Sequence, residues 1–206
     1  MPQIAHPKIL RLVGDSHGDL TVLQEATSND HDTIHLGDLG FASAWRAAEK
    51  LPRLSVVGGN HDDYSIAKSC ETYLGDFGDL GCRVEGASGI FFVRGAHSID
   101  RDLRIENYSW WAAEELSESS LREATDFYGE MKPKIVLSHD CPIILHHMFY
   151  GAEMIASRTS TALWRMLQLH EPEEWYFGHH HISWERKLGS TRFRALGIDE
   201  IVDLSL

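Results

Sequence analysis

Five short polar clusters carry most of the side chains in this chain that could do chemistry. They are Asp15 and His17 in GDSHG, Asp38 in HLGD, Asn60 and His61 in GGNHD, His139 in SHD, and His179 and His181 in GHHH. Setting His61 aside, the seven others offer carboxylate oxygens, one amide oxygen and imidazole nitrogens. Such a mixture suits hard or borderline divalent cations: manganese, iron, zinc, cobalt or nickel. Seven donors exceed what one tetrahedral zinc site takes. They suffice for two ions if one carboxylate is shared, and two ions roughly 3.5–4 Å apart form a clamp for in-line displacement at phosphorus. The glycines beside the clusters fit as well, because sharp turns and close backbone approach favour a residue without Cβ.

Each cluster ends an apolar run. ILRLV (9–13), TIHL (33–36), LSVV (54–57), KIVL (134–137) and WYF (175–177) are short, rich in Val, Ile or aromatics, and read as buried strands. DLTVLQEAT (19–27) and FASAWRAAEKL (41–51) lie between the first three and read as helices. Strand, helix, strand, helix, strand implies right-handed crossovers and a parallel sheet. Ligands of open α/β sheets gather beyond the carboxyl ends of the strands, so the clusters are expected along that edge. GIFFVRGA (89–96) reads as a further strand and 110–131 as helical, with Trp110 and Trp111 anchoring the helix. Beyond it, 182–206 reads as a hairpin turning at Gly189 and Ser190, followed by a last edge strand. The expected fold class is α/β: a two-sheet mixed β-sandwich flanked by helices, one domain over residues 1–206.

Composition narrows the partners. A net charge of −12 argues against stable nucleic-acid binding. There is no apolar run long enough for a bilayer, and the start MPQIAHPKILRL lacks the pattern of a signal peptide. Cys70, Cys82 and Cys141 are too few and too scattered for a disulfide scaffold and have no metal-binding spacing among them, so they read as core or surface residues. No membrane association and a cytoplasmic location are the expectation.

GDSHG, HLGD, GGNHD, SHD and GHHH resemble, in that order, the signature blocks of the calcineurin-like metallophosphoesterases: D-x-H, GD, GNH(D/E), H and GHxH. RGAHSIDRDLR and WWAAEELS are similar to small phage and bacterial members. The resemblance implies an α/β/β/α fold and two divalent metal ions, manganese first among them, with iron, zinc, cobalt, nickel or magnesium as alternatives. It implies that Asp15, His17, Asp38 and His181 hold one ion, and that Asp38, Asn60, His139 and His179 hold the other. A metal-bridging hydroxide would attack phosphorus, and His61 would protonate the leaving oxygen. The implied activity is hydrolysis of a phosphomonoester or phosphodiester; the substrate would be a small phosphoester, a nucleotide or a phosphoprotein. The alternative is a non-catalytic interaction scaffold on the same fold, whose members typically lose ligands or the catalytic His.

The remaining polar residues have looser assignments. His97, Arg101 and Arg104 are substrate-binding candidates, since Arg grips phosphate bidentately. Asp62 reads as a turn stabiliser, Asp140 as a support for His139 or a helix cap, His180 as a spacer, and His35 as a packed strand residue. Asp38 is followed by Leu39, Gly40 and Phe41 rather than the GD-x-x-D-R-G of Ser/Thr protein phosphatases, which argues against that branch.

Overall fold

The computed structural model describes residues 8–151 and 156–206. The N-terminal reading rests mostly on residues 1–7 and lies outside the described residues. In chain order the first elements are β1 (Ile9–Val13), α1 (Thr21–Ala26), β2 (Asp32–His35), α2 (Ala42–Ala48), β3 (Leu54–Val56) and α3 (Tyr64–Ala67). They are followed by β4 (Phe77–Asp79), β5 (Ile90–Val93), α4 (Glu118–Met131), β6 (Ile135–Ser138), α5 (His146–Tyr150) and α6 (Arg158–Leu169). The chain closes with β7 (Glu174–Phe177), β8 (Trp184–Leu188), β9 (Thr191–Ala195) and β10 (Ile201–Ser205).

Two sheets form, in the orders β10-β1-β2-β3 and β4-β5-β6-β7-β9-β8. β1, β2 and β3 run parallel, as do β5, β6, β7 and β9. The antiparallel pairs, β10 on β1, β4 on β5 and β8 on β9, lie at the sheet margins. The burial pattern explains why the cluster-bearing runs are apolar throughout. Leu10, Leu12 and Ile34 of the first sheet meet Ile90, Phe92, Leu137 and Tyr176 of the second in one core. The intervening positions face helices: Val13 and Val56 pack with Trp45 and Leu23, while Phe91, Val136, Trp175 and Phe177 pack with Tyr128, Leu163 and Met166. Strands covered on both faces lose the polar alternation of an exposed sheet. The layers are helix, sheet, sheet, helix, as expected. No helix among the described residues is long and apolar enough to cross a membrane.

One expectation is corrected. The helix read over 110–131 begins only at Glu118, capped by Ser117, whose Oγ accepts from the Ser120 amide at 3.1 Å. The preceding residues make a single 3-10 turn, Ala112–Glu114. Long-range partners hold them there: Glu114 accepts from Ser98 N and Oγ, and Glu115 from Thr159 N. Trp110 and Trp111 are buried but precede that turn instead of anchoring the helix. The short strand β4, Phe77-Gly78-Asp79, lacks the apolar run that marks the cluster-bearing strands.

Candidate active site

All five clusters emerge at the carboxyl ends of β1, β2, β3, β6 and β7, so both sheets contribute to one edge. Hydrogen bonds tie the turns together. His139 Nδ1 lies 2.8 Å from the Leu36 carbonyl, and the His179 amide donates to the Asp15 carboxylate at 3.0 Å. Of the eight non-glycine residues with positive φ among the described residues, four are His17, Asp38, His179 and His181. Left-handed backbone at residues with a Cβ costs about 1–3 kcal/mol each and gathers at functional sites. Close packing accounts for the glycines: a Cβ on Gly37 would overlap the His139 ring, and one on Gly178 the Asp15 carboxylate.

The donors fall into two groups with Asp38 common to both. Asp15, His17, Asp38 and His181 each offer a ligand atom, all within 4.8 Å of one another; Asp38, His139 and His179 do the same. In the first, His17 Nε2 and His181 Nε2 face each other at 2.9 Å, and His181 Nε2 is 3.2 Å from Asp15 Oδ2. In the second, His139 Nε2 is 3.3 Å from Asp38 Oδ1 and 3.0 Å from Asn60 Oδ1. Outer contacts aim these donors. The Leu36 carbonyl accepts a hydrogen bond from His139 Nδ1–H and leaves Nε2 directed inward. Asn60 Nδ2 donates to Ser98 Oγ at 3.0 Å, which turns its amide oxygen toward His139.

The electrostatics fit cations. Asp38 Oδ2 is buried and has no hydrogen-bond partner among the described residues. Burial would raise the Asp38 carboxyl, but His139 holds it far below the usual carboxylate range. Burial likewise pulls His139 down, yet Asp38 wins and raises it to about 10. Burial drives His179 down to about 3, leaving a neutral imidazole with a free lone pair. An orphaned carboxylate oxygen among neutral or displaceable imidazoles is what a divalent cation requires.

His61 belongs to neither group. Its backbone amide donates to Asp38 Oδ1 at 2.7 Å, and its Nε2 lies 3.9 Å from Asp38 Oδ2. Arg104 Nη1 and Nη2 sit 2.7 and 2.9 Å from the two His61 ring nitrogens, while Asp100 grips the same guanidinium at 2.6 and 2.7 Å. Burial first, then Arg104 against the pull of Asp38, leaves the His61 pKa lowered. A cleft of about 390 Å³ is lined by His17, Asp38, Asn60, His61, Arg104 and His179, among others. His97 and Arg101 are not brought to it. His97 lies 3.6 and 3.7 Å from Glu114 and Glu115, and the Arg101 guanidinium stacks over Trp110 at 4.3 Å.

Asp62 has the structural role read for it. Its carboxylate accepts from the amides of Asp38, Gly40 and Gly59 and from Trp45 Nε1, pinning the β2 and β3 turns together. Asp140 does neither thing expected of it. It accepts from the Cys141 amide and lies beside His146 and His180, with no hydrogen bond to His139 among the described residues, and it caps no helix. Sequence spacing gave no signal for that grouping, because Asp140, Cys141 and His146 follow β6 whereas His180 follows β7.

His35 is fully buried, and neither ring nitrogen has a hydrogen-bond partner among the described residues. Burial lowers its pKa to about 4, against the charges of Asp15 and Asp38. A lowered base contributes stability that is present above its unfolded pKa of about 6.5 and lost as pH falls through the folded value. Relative to His35→Leu, the wild type should therefore lose about 3 kcal/mol between pH 6.5 and 4. Urea denaturation of both proteins across that range checks this; parallel stability curves would contradict it.

No protein-family model and no curated protein matches the sequence. Solved structures do match. A candidate 5′-nucleotidase from Staphylococcus aureus, in complex with alpha-ketoglutarate, superposes with a TM-score of 0.58 at 12% identity, covering 97% of this chain and 51% of that one. Phosphopantetheinyl hydrolase (PptH) from Mycobacterium tuberculosis gives 0.51 at 13%, covering 95% and 91%. The chain has the calcineurin-like metallophosphoesterase fold. GAP50, the anchor in the inner membrane complex of Plasmodium, also matches, with a TM-score of 0.53 at 13% identity over 92% of this chain and 72% of that one. At such identities the metallophosphoesterase fold is what is shared, and the chemistry must be argued from the residues at its sheet edge.

Proposed function

We propose that this chain is a metal-dependent phosphoesterase that hydrolyses phosphomonoesters or phosphodiesters. The observation that carries the reading is a pair of donor groups sharing Asp38, with the His61 imidazole 3.9 Å from that same carboxylate. Asp15, His17, Asp38 and His181 would hold one divalent ion; Asp38, Asn60, His139 and His179 would hold the other, with manganese the expected metal. When bound, the ions supply Lewis acidity toward the phosphoryl oxygens and a nucleophile at neutral pH.

The chain's own residues do the rest. Asp38 fixes the spacing of the two halves, and its Oδ1 anchors the His61 backbone. His61 delivers a proton to the leaving oxygen, the role of a positioned general acid; burial lowers its pKa in the free protein. Arg104, clamped by Asp100, presents a guanidinium at the cleft for a phosphoryl oxygen. An arriving phosphate draws that guanidinium from the His61 ring and adds negative charge beside it, which favours the protonated acid.

Arg104→Ala should lower kcat/KM by roughly 10–100-fold, the worth of one charged hydrogen bond. Steady-state kinetics on p-nitrophenyl phosphate measures it, and an unchanged value would remove Arg104 from the substrate contacts. The function itself is tested by hydrolysis of p-nitrophenyl phosphate and its bis ester by manganese-loaded protein. Turnover should vanish on chelation and return with manganese; no turnover of either ester would sink the reading. A scaffold role would instead show as manganese-supplied protein holding less than one manganese ion per chain.

A further inference from the structure

A second cluster of ligand-type side chains lies outside the phosphoesterase groups. Asp140, Cys141, His146 and His180 are all buried, and each offers one ligand atom within 4.8 Å of the others. Cys141 Sγ is 3.2 Å from His180 Nε2, His180 Nε2 is 3.4 Å from Asp140 Oδ1, and His146 Nε2 is 3.2 Å from that same oxygen. A tetrahedral zinc ion with bonds of roughly 2.0–2.3 Å separates its ligands by roughly 3.3–3.7 Å, close to these distances.

We propose that Asp140, Cys141, His146 and His180 form a structural zinc site, separate from the phosphoesterase centre and independent of that reading. The chemistry of the donors favours zinc: one thiolate, two imidazoles and one carboxylate form a borderline-soft set of four. Charge balances too, because a thiolate and a carboxylate neutralise a divalent ion, which a buried site requires. On binding, the Cys141 S–H bond breaks, its proton leaves to solvent, and the sulfur lone pair forms the bond to zinc. His180 has the outer contact expected of a ligand. Its Nδ1 lies 2.9 Å from Tyr150 Oη, so an Nδ1–H donated there leaves Nε2 free to coordinate. Hydrogen bonding alone explains the packing less well. Asp140 Oδ1 already accepts the Cys141 amide at 2.7 Å, and both imidazole Nε2 atoms crowd the same oxygen. Tyr150 and His180 also line the cleft, giving the ion a way in. The site would fasten the start of α5 to the segment carrying His179 and His181.

Cobalt(II) is the probe, because the phosphoesterase groups contain no sulfur and cannot give a thiolate-to-cobalt charge-transfer band. Metal-free full-length protein titrated with cobalt to saturation should develop that near-ultraviolet band, with the intensity of one thiolate-bound cobalt per chain. Cys141→Ser should abolish it and His146→Asn should weaken it, while Asp38→Asn should retain it. Wild-type protein saturated with cobalt but lacking the band would overturn the proposal and leave the phosphoesterase reading standing. A band persisting in Cys141→Ser would also overturn it, since the sulfur would then be Cys70 or Cys82. The wild-type titration decides even if a variant fails to fold.

Discussion

Asp38→Asn is expected to abolish metal-dependent hydrolysis and to weaken cation binding at both donor groups together. Asp38 is the one side chain common to the two groups, and its Oδ2 has no other hydrogen-bond partner among the described residues. The substitution keeps size and removes the charge. Even outer-shell changes cost metal affinity by roughly 10–100-fold, so loss of a shared carboxylate should exceed roughly 100-fold at each ion. The acidity of His139 adds a pH signature. Asp38 raises that imidazole to about 10, so below that pH a cation must displace its proton. Manganese affinity of the wild type should therefore climb with pH, by about tenfold per unit while one proton is displaced. In Asp38→Asn the His139 pKa falls with its partner's charge gone, and the slope should flatten. Calorimetric titration with manganese from pH 6 to 8 measures both effects. A variant binding two ions as tightly as wild type would contradict the shared role.

The second large effect is expected at His61. His61→Ala should lower kcat by a factor of roughly 10²–10⁴, the usual contribution of a positioned general acid. Metal content should not change, because the imidazole belongs to neither donor group and the backbone amide that supports Asp38 survives in alanine. The loss should be greater for an alkyl phosphate than for p-nitrophenyl phosphate, since a poor leaving oxygen depends more on the proton it receives. Equal losses for the two esters, with metal content intact, would assign His61 to binding or positioning.

Most of the candidate site can be read in the sequence because its information is local. An apolar run stopping at glycine and then a polar cluster marks a strand end wherever it occurs, and parallel strands put such ends on one edge. β1, with Asp15 and His17 just beyond it, and β7, with His179 and His181, illustrate how little else was needed. What the sequence hid depends on tertiary partners. The residues 110–117 have helix-favouring composition, yet Glu114 and Glu115 are held out of α4 by Ser98 and Thr159. His97, Arg101 and Arg104 look equivalent in the sequence. Only Arg104 reaches the cleft, because Asp100, four residues before it, holds its guanidinium beside His61. The Asp140 cluster is hidden in the sequence for the same reason. Cys141 has no second cysteine at metal-binding spacing, and its neighbours His146 and His180 follow different strands.

The account turns on two cations flanking one carboxylate. Crystals grown with manganese and measured for anomalous scattering test it most directly. Two peaks roughly 3.5–4 Å apart, one on each side of Asp38, are the expected result. A map with no peak there, or with peaks that leave Asp38 uncoordinated, would contradict it.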